Sequence, residues 1–116
     1  MPTEFPTPPG FPQVRAAAQA LEDKLANATP TNPADSLAVS TALEAVGAVL
    51  TQLNQEDLLS RDGAMQAAAA EMKVPLQKLS GLKDQLAEIS TRLATLAGIA
   101  NDVNRVVNGC TTIFGV

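Results

Sequence analysis

The sequence predicts an all-α protein, either a helical bundle or a long antiparallel helical hairpin with a coiled-coil-like C-terminal helix. Three observations carry that prediction. Over residues 79–114 every a and d position of a heptad register is apolar. Hydrophobic residues make up 46% of the chain but aromatic ones only 3%, so a core must be built from Leu, Val, Ile and Ala, which suits helix packing better than strands. Helix-start chemistry at Asn32-Pro33-Ala34-Asp35 and an alanine run at 67–70 supply the local signals.

Taken in order, the first stretch, MPTEFPTPPGFP, carries Pro2, Pro6, Pro8, Pro9 and Pro12. Each fixes φ and removes a donor, so residues 1–11 are expected to form an extended Pro-rich arm. Residues 12–116 are expected to form a single helical domain, in keeping with a chain of 116 residues. The spacing of Val14, Ala18, Leu21 and Leu25 predicts a first helix over 12–28, stopped by Pro30. Asn32 then serves as N-cap, Pro33 fits the first helical position, and Asp35 meets the positive end of the helix dipole.

Val39, Leu43, Val46, Leu50 and Leu53 form the inner stripe of a second helix. Gly47 costs it about 1 kcal/mol relative to Ala, so either a backbone approaches closely there or the cost is simply tolerated. Asn54, Asp57 and Asp62-Gly63 each offer an end, and Val74-Pro75 either closes the next helix or kinks it. Between Lys24 and Arg61 the chain has no basic residue and four acidic ones, whereas from Arg61 onward six basic residues face five acidic ones. The two halves are electrostatically suited to lie together.

The stripe itself runs through Leu79, Leu82, Leu86, Ile89, Leu93, Leu96, Ala100, Val103, Val107, Cys110 and Phe114. It predicts one helix over 76–108, about 50 Å long at 1.5 Å per residue, with Gly109 as a left-handed C-cap. Neither of the first two helices alone covers such a rod, so either residues 33–73 fold back as one long arm to make a hairpin or part of the stripe is left for a second subunit. Leu79, Leu82, Leu86, Ile89, Leu93, Leu96, Val103 and Val107 are read as an interaction seam completed by a second copy or by another helical protein.

Chemistry is sparsely provided for. The chain has no histidine and one cysteine, which removes the commonest general base and the usual zinc ligand sets, so no catalytic residue, cofactor or metal is expected. Ser80-Gly81-Leu82-Lys83 fits the S-x-x-K pattern of serine acyl enzymes, but the companion motifs are absent and Leu82 belongs to the stripe. Cys110, at a d position, reads as a small buried hydrophobe, with a disulfide between parallel copies as the alternative. A net charge of -4 argues against nucleic acid and anionic lipid as partners. The most apolar segment, residues 36–53, contains Glu44 near its centre, so a membrane span is not expected. With no signal-peptide pattern at the start, the expected location is cytoplasmic, or outside the cell by export without a cleaved signal.

The expectation is thus a non-enzymatic structural or adaptor protein acting by helix–helix self-assembly or as a subunit of a larger complex. An amphipathic coat on a lipid or polymer surface is the alternative, and phasins are similar in composition. The helix, P-x-N-P turn and helix around ATPTNPADS resemble the hairpin of type III secretion needle subunits. That resemblance implies polymerisation into helical tubes; it covers a minor part of the chain, and the long heptad segment departs from those short subunits.

Overall fold

The cap at Asn32 forms as its residues dictate. Its side-chain oxygen accepts the Asp35 backbone N–H at 2.8 Å, and Pro33 opens the helix. In the computed structural model, which describes residues 10–55 and 63–115, four α-helices follow one another: α1 (Phe11–Ala26), α2 (Pro33–Leu53), α3 (Ala64–Ser90) and α4 (Ile99–Phe114), with a 3-10 turn at Ala94–Leu96 between the last two. There is no strand among the described residues. The arm read over 1–11 lies outside the described residues as far as residue 9, and Phe11 already belongs to α1.

Side-chain contacts fix the directions. Arg15 near the start of α1 donates to the Leu53 carbonyl at the end of α2, and Asp35 at the start of α2 meets Arg92 just past the end of α3. Lys83 reaches Asn104 between α3 and α4, while Val14 lies against Gly109 and Lys24 against Asp102 between α1 and α4. Each helix is antiparallel to the next and α4 returns to α1, which makes an up-down-up-down bundle. The helices share one core, in which Leu21, Leu25, Val46, Val49, Leu53, Met72, Leu79, Leu86 and Ile89 are fully buried.

Several expectations need correction. The first helix stops at Ala26, capped by Asn27. Pro75 does not end α3, which runs through it for 27 residues; the proline withholds one N–H from the Glu71 carbonyl, and Glu71 is exposed to water. Gly47 is not a point of close backbone approach: a Cβ there would meet only the Glu22 side chain at 3.7 Å. That role falls to Gly109, which sits inside α4 and is not its cap. The left-handed C-cap is Gly115, so CTTIFGV is mostly the last turns of α4 and not a tail.

The largest correction concerns the rod. No single helix covers 76–108, because the chain leaves the helical path after Ser90 and resumes at Ile99. The hydroxyls of Ser90 and Thr91 donate to the carbonyls of Ala87 and Glu88 at 2.5 and 2.6 Å, taking acceptors at the end of the ladder. Leu93 is extended (φ -123, ψ 109), and Gly98 at φ 76 turns the chain back. Folding back lets α4 bury its apolar face on α3 and α1, which a straight rod would leave in water.

Candidate functional site

The seam residues lie inside the protomer. Leu79, Leu86, Leu96 and Val103 are wholly buried and Ile89 almost so, while Leu82, Leu93 and Val107 are partly buried against the same core. Their cover comes from α1, α2 and the folded-back α4. The premise that the chain's own helices are too short to shield this stripe fails, since the stripe is divided between two helices that shield each other.

Two large apolar side chains stand exposed among the described residues, Val74 (56%) on α3 and Leu37 on α2. The inner face of α2 carries Val39, Val46, Leu50 and Leu53 to the core, but Leu37 points away and is 69% exposed. Spaced by threes and fours from Leu37 come Ser40, Glu44, Gly47 and Thr51, a face with one charge and otherwise small or uncharged side chains. Among the described helices, α2 alone is long and apolar enough to cross a membrane by length and composition, with mean hydropathy 1.4 over 18 residues, yet only 44% of that window is buried. The signal for Leu37 was present in the sequence, because it stands two residues before Val39 and so on the face opposite the inner stripe.

A second feature is the charged end of the bundle, where α1 and α3 finish and α2 and α4 begin. Asp35 and Asp102 sit in the first turns of α2 and α4, where a carboxylate meets the positive pole of the helix. Lys24 lies in the last turn of α1 and Arg92 just beyond α3, at the negative poles. The Nη2 of Arg92 lies 2.9 and 2.8 Å from the two Asp35 carboxylate oxygens, and Asn32 donates to the same carboxylate at 3.0 Å. The Asp35 carboxylate, by hydrogen bond and by charge, raises the guanidinium pKa above its ordinary value. Lys24 pairs with Asp102 and also donates to the Ala97 carbonyl at 2.7 Å. Both pairs close across helices, and the bond to Ala97 ends within the bend.

At the opposite end, Gly10, Val14, Asn108, Gly109, Thr112 and Ile113 line a cleft of about 210 Å³, below the usual size of a small-molecule site. Cys110 is wholly buried, and desolvation pushes its thiol up to about 11. A disulfide between closed copies is therefore out of its reach. Ser80 is exposed and Lys83 is turned to Asn104. Among the described residues no three His, Cys, Asp or Glu side chains gather to hold a metal ion. Comparison of the chain with protein-family models, curated proteins and solved structures finds no match.

Proposed function

We propose that this protein is a non-enzymatic structural or adaptor protein that works by helix-on-helix association, with itself or as a subunit of a larger complex. One observation carries the reading: Leu37 stands 69% exposed on the outer side of α2, while the other large apolar side chains of that helix are buried or partly buried in the core. Around Leu37 and Ser40 the exposed face is free of charge, with Glu44 and the Glu22 carboxylate of α1 beside Gly47 further along, which suits the approach of a second helix at the Leu37 end.

Solution mass measured by light scattering over a concentration series tests the reading. The wild type is expected to form a discrete oligomer, or to join a helical partner, and Leu37→Glu to abolish that association while leaving helix content unchanged. A wild-type mass and partner-binding profile indifferent to Leu37→Glu would overturn it. The same half-buried helix also supports a second reading, a coat on a lipid or polymer surface through apolar contact alone. That reading expects flotation with neutral vesicles, lost in Leu37→Glu, from a protein that stays monomeric in solution.

A further inference from the structure

We infer that α4 exchanges between two copies of this chain: the bend over 91–98 straightens, α3 and α4 join into one rod, and each copy's α4 takes the other's seat. The inference rests on the reading that the protein associates with itself and names how the copies engage.

The first support is phase. Ile89, Leu93, Leu96, Ala100 and Val103 keep the four-three spacing of a helical stripe straight through the bend, although Leu93 is extended and Leu96 lies in a 3-10 turn. Nothing in the closed bundle requires those two leucines to stay in register with Ile89 and Ala100. A continuous helix does require it. The bend, TRLATLAG, contains no proline, and Gly98 is its weakest helix former, followed by Thr91 and Thr95.

The second support is the seat. The inner face of α4, formed by Ile99, Val103, Val106 and Cys110, is wholly buried, so α4 cannot stand open in water. A straight rod from Ala64 to Phe114 extends about 77 Å at 1.5 Å per residue and carries α4 away from its own α1. Only the same seat in another copy reproduces every buried contact. The third support is the way the bend is held. The Lys24 bond to the Ala97 carbonyl ends inside the bend and belongs to its closed form, whereas Lys24–Asp102 can form within one chain or between two.

Gly98→Ala tests the exchange directly. Alanine is disfavoured at the φ of 76 that closes the bend and favoured in a straight helix, together roughly thirtyfold per hinge, so the dimerisation constant is expected to rise about a thousandfold because both copies carry the change. Light scattering over concentration reads that constant. A second experiment mixes Lys24→Asp with Asp102→Lys in mild urea and then removes the urea. Each variant alone sets like charges between α1 and α4, and only exchanged mixed dimers restore both opposite pairs, so a mixed dimer is expected to dominate. A mass curve unmoved by Gly98→Ala, or a mixture that forms no mixed dimer, overturns the exchange. Association that disappears with Leu37→Glu but ignores Gly98→Ala and the charge mixing ends the exchange and keeps the α2 reading.

Discussion

At Gly109 two helices meet with no room for a methyl group. A Cβ there would lie 2.3 Å from Val14 Cγ2 and 3.4 Å from Val14 Cβ. Valine is stiff at χ1, so α1 and α4 must move apart to admit it. Overpacking of about 1–3 kcal/mol then outweighs the roughly 1 kcal/mol that alanine gains over glycine in a helix. Gly109→Ala is expected to lower the urea midpoint. Gly81→Ala, exposed and with open space around it, is expected to raise stability by up to about 1 kcal/mol. The sequence marks a glycine inside a helical pattern as unusual without saying why, so it does not tell a tolerated Gly47 from a closely packed Gly109. A second residue-scale effect comes from Cys110, whose thiol pKa rises from 9.0 to about 11 on burial. A folded-state value above the unfolded one gives stability that is complete below pH 9 and is lost as pH rises through 11, on the order of 2–3 kcal/mol. Between pH 9 and 11 the denaturant midpoint of the wild type should therefore fall more steeply than that of Cys110→Ala.

At the scale of the element, the start of α2 was fully legible because its cap is local: Asn32 and Asp35 are three residues apart and meet through two hydrogen bonds. The inner stripes of α1 and α2 were legible for a similar reason, since burial of one face fixes a spacing of three and four. The same spacing does not say which molecule supplies the cover. Leu79, Leu86 and Ile89 look alike whether they face a second copy or, as here, a core shared with their own α2 and α4. Nor did the bend announce itself. Ser90 and Thr91 divert ladder acceptors at the end of α3, yet Ser40 and Thr41 sit in the interior of α2 without breaking it. What differs is the return of α4 to a seat on α1, a contact between residues far apart in sequence. Ile89→Glu follows from that difference: it puts a charge without a partner into a closed core. It is expected to cost about 4 kcal/mol or more and to abolish the cooperative unfolding transition followed by circular dichroism, not simply to change the mass.

For the molecule as a whole, the antiparallel order of four helices sets alternating dipole poles side by side at each end, and the chain places matching charges at one of them. Asp35–Arg92 joins the acidic interval to the more basic C-terminal half, as the charge distribution suggested. Lys24–Asp102 runs the other way, from a basic residue early in the chain to an acidic one late, and no pattern along the sequence pairs residues so distant. The elongated outline, 51 × 26 × 19 Å, keeps that end well apart from the tight Val14–Gly109 contact. Ionic strength therefore acts on the two ends unequally. Added salt screens the part-exposed pairs Lys24–Asp102 and Asp35–Arg92, while the steric fit of valine on glycine is indifferent to it. Salt thus acts on the hold over the strand of chain between α3 and α4 where it doubles back, and leaves the valine-on-glycine fit as it is.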